Sequence, residues 1–143
     1  MFTLPGSWVW DFWLAEDHGT YHLFFLHASR ALHDPDRRHL RAAIGHAVST
    51  DLIHWEQVPD ALVHGDPGEF DQTAIWTGSV TKAPDGTWFM FYTGTTQTPD
   101  GPLIQQVGHL HRPVALGEGR PKPPGAYRTL LVRDPRRAGA VDR

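Results

Sequence analysis

The stretch His18-Gly19-Thr20-Tyr21-His22-Leu23-Phe24-Phe25 returns as Asp85-Gly86-Thr87-Trp88-Phe89-Met90-Phe91-Tyr92, with Gly19 falling on Gly86 at an offset of 67 residues. Each copy is a polar turn that runs straight into an aromatic strand. Asp-Gly is a strong short-range signal for a hairpin. The same offset lays Val9 on Trp76 and Trp13 on Val80. Antiparallel strands repeating at so long a period predict the blades of a β-propeller, each a four-stranded sheet. Blades bury their faces against neighbours, so two alone leave apolar surface in water. The competing reading is two unrelated hairpins that share turn chemistry.

Working outward, residues 7–14 read as a strand and residues 21–27 as its hairpin partner, with Tyr21, Leu23 and Phe25 on one face. Residues 30–41 are polar and basic, with Asp34-Pro35-Asp36 as a turn signal, and read as a loop or a single helical turn. Residues 43–49 form a third strand, apolar apart from His46. Residues 50–56 read as a turn leading into a short edge strand, and 58–70 as a Pro/Gly/Asp connection. The pattern then restarts, with strands at 73–80 and 88–94 around the turn 84–87, and another beginning at 103–108.

Composition supports an all-β chain. Six Trp, seven Phe and three Tyr among 14 Gly and 12 Pro suit many short strands joined by tight turns. The chain has 143 residues, enough for one ordinary domain. A net charge of −3 gives no sign of a nucleic-acid or membrane partner. There is no cysteine, which excludes disulfides and thiolate sites. No apolar run is long enough to span a bilayer. No basic segment followed by an apolar run opens the chain, so a cytoplasmic location is the default expectation. No His pair has metal-ligand spacing, and no cofactor or metal is expected.

The stretch Ser7-Trp8-Val9-Trp10-Asp11-Phe12-Trp13 sets one carboxylate among large side chains. Strand alternation sends Trp8, Trp10 and Phe12 to one face, and Val9, Asp11 and Trp13 to the other. A carboxylate there is costly to bury unless it is hydrogen-bonded or needed. A turn or capping role is the ordinary alternative.

Three tracts carry a family resemblance. They are Trp8–Trp13 followed by Tyr21-His22-Leu23-Phe24-Phe25; Gly45-His46-Ala47-Val48-Ser49-Thr50-Asp51-Leu52-Ile53-His54-Trp55-Glu56; and Thr77-Gly78-Ser79-Val80 with Asp85-Gly86 and Phe91-Tyr92-Thr93-Gly94. Together they resemble the N-terminal catalytic domain of glycoside hydrolase family 32, the β-fructosidases, within the wider five-bladed propeller group that includes families 43 and 68. The resemblance covers about residues 5–108. It implies a fragment of a five-bladed β-propeller, the first blade and part of the second, with a carbohydrate substrate. By the same resemblance Asp11 is the nucleophile of a retaining glycosidase, on the innermost strand of the first blade. Trp8, Trp10, His27, Trp76 and Ser79 are candidate sugar-binding residues. For His27 the alternative is a polar strand end, and for Trp76 and Ser79 blade core and turn. Trp10 stands where the family has Asn, and Phe12 where it has Pro. His46, His54 and Trp55 read as structural, and Asp51 as a turn cap. The general acid/base, which the family places in a later blade, has no convincing counterpart, since Glu56 and Glu69 fall in edge or connecting segments. An arabinose- or xylose-directed relative like family 43, and a non-catalytic carbohydrate-binding module, are the other function classes.

Residues 109–143 break the pattern. All six Trp precede residue 89, and the final segment holds one aromatic, Tyr127, among Arg, Pro and Gly. A reading shifted by one nucleotide from codon 109 permits Thr-Ser-Thr-Asp-Leu-Ser-His-Trp-Glu-Lys, a second copy of the edge-strand motif. Residues 1–108 therefore read as the partial propeller domain, and 109–143 as an out-of-frame tail or a disordered basic extension. Arg133-Asp134-Pro135 matches a family signature and reads as chance.

Overall fold

The computed structural model describes residues 2–97 and 99–112. Two antiparallel sheets pack face to face. The first has the order β1-β2-β3-β4, built from β1 (Ser7–Asp17), β2 (Thr20–Ser29), β3 (Ala43–Ser49) and β4 (Glu56–Leu62). The second has the order β5-β6-β7, from β5 (Ala74–Lys82), β6 (Trp88–Gln97) and β7 (Leu103–Arg112). Short 3-10 helices at Arg30–Leu32 and Pro35–Leu40 join β2 to β3. The first sheet is one propeller blade and the second, three-stranded among the described residues, is part of the next; both are built from meandering hairpins, and the pair is a fragment of a five-bladed propeller.

The core lies between the blades. Phe24, Leu26, Ile44 and Leu62 of the first sheet meet Ile75, Trp88, Met90, Tyr92 and Leu110 of the second. On the outer face of the first sheet, Leu23, Phe25 and Ala47 are covered by Phe2, Leu4 and Trp55. At the hairpin ends Lys82 bridges the blades, donating to Asp17 at 2.7 Å and standing 5.3 Å from the Trp88 ring centroid. That ammonium holds the Asp17 carboxyl below its ordinary value. The glycines of the second blade make room for a ring: a β-carbon at Gly94 or Gly108 would run into Phe70.

Two expectations change. Strict alternation fails in β1 because the β1–β2 register slips between Trp10 and Phe12, leaving Asp11 as an extra residue with φ of 34°. Trp10 and Trp13 therefore both pack against the inter-blade core, while Phe12 is 70% exposed. An inserted residue resets the two-residue period, so side chains three apart share a face. The edge strand also differs. It starts at Glu56, where an edge strand is expected, but runs on to Leu62, through Pro59, into the segment read as a connection. Proline has no N–H to give a ladder, but an outermost strand does not need one there. The register break between Ile44 and His46 absorbs it.

The repeat is real but not uniform. Phe25 pairs with Phe12 and Tyr92 pairs with Gly78, which keeps the 67-residue offset for the second strands. The first strands match one residue closer. The bulge between Trp10 and Phe12 has its counterpart between Trp76 and Gly78, so Trp10 corresponds to Trp76 and Asp11 to Thr77. Between the matched pairs Phe12–Phe25 and Gly78–Tyr92 the second hairpin holds one residue more, which makes up the difference. β7 continues past residue 108 to Arg112. The shifted-frame segment beyond it, with Tyr127 and Arg133-Asp134-Pro135, lies outside the described residues.

Candidate active site

The site grows from the two bulges. In β1 the extra residue is Asp11, and in β5 it is Thr77. A bulge turns its residue out of the ladder and re-aims the side chain. The two bulges stand beside each other across the blade boundary, and the Thr77 hydroxyl donates to Asp11 Oδ2 at 2.6 Å. A short bond of an O–H to a carboxylate is a strong one. It fixes one carboxylate oxygen. Both residues are exposed, so the carboxylate is open to a ligand. Positive φ in a non-glycine residue is strained, and Asp is among the residues that tolerate it. Gly78 follows the second bulge because a β-carbon there would strike the Phe91 carbonyl oxygen.

Two tryptophans flank these residues at matching positions. Trp10 precedes Asp11, and Trp76 precedes Thr77. Both hold the Pro35–Leu40 helix. The Trp76 indole N–H donates to the His39 carbonyl at 2.6 Å. The His39 ring sits edge-on to Trp10 at 5.9 Å and to Trp76 at 6.2 Å. The Arg38 guanidinium stands 5.2 Å from the Trp10 ring centroid, within cation–π range. The helix is a strap that joins the two blades at the end where Asp11 lies.

The other candidates make no bond to Asp11 among the described residues. Trp8 is half-buried on β1 opposite Ala28. His27 turns to the outer strand: its Nε2 lies 3.1 Å from Asp60 Oδ1, within ion-pair distance but misaligned for a hydrogen bond. Ser79 is exposed on β5 opposite Phe91. The structure thus gathers Asp11, Trp10 and Trp76, while neither His27 nor Ser79 is hydrogen-bonded to Asp11 among the described residues. Sequence reading did not single out Thr77, Arg38 or His39. Aligning Trp10 on Trp76, in place of Val9, would have put Asp11 on Thr77.

Neither Glu56 nor Glu69 is linked to Asp11. Glu56 opens the outer strand and is exposed. Glu69 accepts the Asp66 N–H at 2.9 Å in the β4–β5 connection. Among the described residues no ion pair involves Asp11. No cluster of three metal-ligating side chains occurs among the described residues. The Gly45–Glu56 motif builds a turn instead. Asp51 accepts the backbone N–H groups of Ile53 and His54 at 2.9 and 2.8 Å, and its other oxygen meets His54 Nδ1 at 2.7 Å. The His54 bonds hold its carboxyl well below the usual range.

The profile described as "Glycosyl hydrolases family 32 N-terminal domain" matches residues 13–119. The chain belongs to glycoside hydrolase family 32. The match begins two residues after Asp11. An acid β-fructofuranosidase of Capsicum annuum is 40% identical over 107 residues, covering 70% of this chain and 14% of that protein. A vacuolar acid β-fructofuranosidase of a Rosa hybrid cultivar is 37% identical over 132 residues, covering 82% of this chain and 20% of that one. Among solved structures, the inulosucrase of Halalkalicoccus jeotgali bound to kestose superposes with a TM-score of 0.68 at 26% identity, over 92% of this chain and 34% of that one. The family 32 chain thus spans about a seventh to a fifth of the length of these two curated relatives.

The expected cytoplasmic location does not stand. The rose relative is vacuolar. The expectation rested on the first residues of a chain that spans a small part of its relatives, and those residues are no measure of a leader.

Proposed function

We propose that this chain carries the nucleophile of a retaining β-fructosidase acting on fructosides such as sucrose or fructans, with Asp11 in that role. The observation that supports it is the paired bulge. It presents an exposed carboxylate, strained in backbone and held through one oxygen by Thr77 at 2.6 Å. The second oxygen is then the one that attacks the anomeric carbon and forms the glycosyl-enzyme ester. Trp10 and Trp76 frame the approach and brace the strap.

A retaining enzyme also needs an acid about 5 Å from the nucleophile to protonate the departing oxygen and later to activate water. No Glu or Asp is bonded to this site among the described residues. General acid–base catalysis contributes roughly two to four orders of magnitude. The 143-residue chain alone is therefore inactive on sucrose and inulin. Fructose release from the purified chain, lost in Asp11→Asn, would overturn that statement. The nucleophile is tested in a chimaera that places residues 1–108 in the matching stretch of the Capsicum enzyme. Sucrose hydrolysis should appear and fall by several orders of magnitude in Asp11→Asn. An Asp11→Asn chimaera as active as its parent would remove Asp11 from the role.

A further inference from the structure

The strap that braces Trp10 and Trp76 has a second use. Arg37 and Arg41, within and just beyond it, line a cavity of about 510 Å³ with His64, Gln72, Thr73 and Gln97. Its polar lining is biased towards donors. The Arg37 backbone N–H donates to the Asp34 carbonyl at 3.2 Å, while its guanidinium makes no hydrogen bond or ion pair with a described residue. Arg41 gives one N–H to the Leu40 carbonyl at 3.1 Å and keeps the others. Two of the acceptor oxygens nearby are taken: Gln72 Oε1 receives the Gly68 N–H at 2.6 Å, and Thr73 Oγ1 receives the Gln97 N–H at 2.9 Å. Each of those side chains keeps its own donor for the cavity. His64 Nδ1 donates to the Gly65 carbonyl at 3.0 Å, which leaves Nε2 as a donor when the ring is protonated. No carboxylate is in the lining. Those of Glu69 and Asp71 lie against Gly65, where a β-carbon would meet them.

We propose that this cavity binds an oxyanion of the phosphate class, either free phosphate or a phosphate monoester. Two guanidiniums supply charge and paired N–H groups that match phosphate oxygens. Amide and hydroxyl donors complete the shell, and two guanidiniums with no carboxylate in the lining disfavour a cationic occupant. Because Arg37 and Arg41 flank Arg38 and His39, an anion held there also fixes the strap that contacts Trp10 and Trp76. The proposal does not depend on the role of Asp11.

The test is titration of the full chain with inorganic phosphate at low ionic strength, read by calorimetry and by tryptophan fluorescence, with sodium chloride at matched ionic strength as control. Saturable one-site binding is expected. It should weaken by about tenfold or more in Arg37→Gln and in Arg41→Gln, as for loss of a charged hydrogen bond. Gln97→Leu should weaken it less, and Arg30→Gln, the same charge change outside the cavity, should leave it intact. A parallel titration with glucose 6-phosphate separates the sources: equal affinity assigns free phosphate, and tighter binding assigns a sugar-borne phosphate. Binding no better than chloride, or equal loss in Arg30→Gln and Arg37→Gln, overturns the proposal.

Discussion

Asp11 must hold φ at 34° in the middle of a strand, and it receives a 2.6 Å hydrogen bond in that position. The two features separate in mutants. Asn tolerates positive φ as well as Asp does and keeps an oxygen for the Thr77 hydroxyl. Asp11→Asn should therefore change stability by less than about 0.5 kcal/mol. Ala keeps the strained backbone and removes the acceptor, so Asp11→Ala should cost about 1–2 kcal/mol. Urea midpoints of the three proteins check the order. An Ala variant as stable as Asn would mean that neither strain nor hydrogen bond is felt in the fold.

At the scale of elements, the turn between β3 and β4 hangs on one carboxylate. Asp51 holds the Ile53 and His54 backbone and faces the Ser49 hydroxyl. Its carboxyl is depressed, so its contribution is present above the ordinary Asp pKa and is lost as pH falls through the lowered value. Asp51→Ala should lower the urea midpoint at neutral pH and leave it unchanged in strong acid; an equal loss at both would sink the assignment. This turn was legible in the sequence because all its partners lie within five residues. So were β1, β2, β3, β5 and β6, where aromatic and β-branched runs meet Asp-Gly and Gly-Thr turns. The bulge at Asp11 was not legible, since one extra residue leaves composition untouched and appears only as a slip against β2. The edge strand was expected, but the length of β4 was hidden by Pro59, which a central strand would refuse and an edge accepts. Thr77 was invisible for a different reason: its role needs two strands 66 residues apart brought edge to edge, and a repeat read at 67 misses it by one.

On the whole molecule, the blades bury one face of each sheet against the other, and the outer faces are covered only in part. Val9, Phe12 and Leu14 of β1 are 38%, 70% and 48% exposed on the side away from the second blade. Phe89 and Phe91 stack, half-buried, on the far side of the second sheet. Neighbouring blades cover such faces in a propeller. The isolated chain should therefore self-associate, and Phe12→Ser with Leu14→Thr should reduce that, as read by sedimentation. Monomeric behaviour of the unmodified chain would count against open blade faces.

The inter-blade contact also contains a buried histidine pair that bears on acid stability. His22 Nδ1 and His46 Nε2 lie 2.9 Å apart, and Phe24 stacks on the His46 ring at 4.7 Å. Both rings are buried on the side of the first sheet that faces the second. Burial pushes His46 down to about 4, helped by the charge of His22, and burial lowers His22 too, with Asp17 opposing. A depressed histidine means that the folded state binds the proton less well than the unfolded chain. Stability is then full above the ordinary value of 6.5 and falls as pH drops towards about 4, below which this contribution is flat. For His46 the loss across that window is on the order of 3 kcal/mol. Asp51 does not titrate in that range, so the two effects separate along the pH axis. Urea unfolding followed at both ends of the window measures the loss. Replacing the pair together, His22→Phe with His46→Leu, removes both protonation sites without leaving a buried nitrogen unpaired, and should flatten the profile between 4 and 6.5. A double variant that keeps the full slope would place the acid sensitivity outside the blade interface.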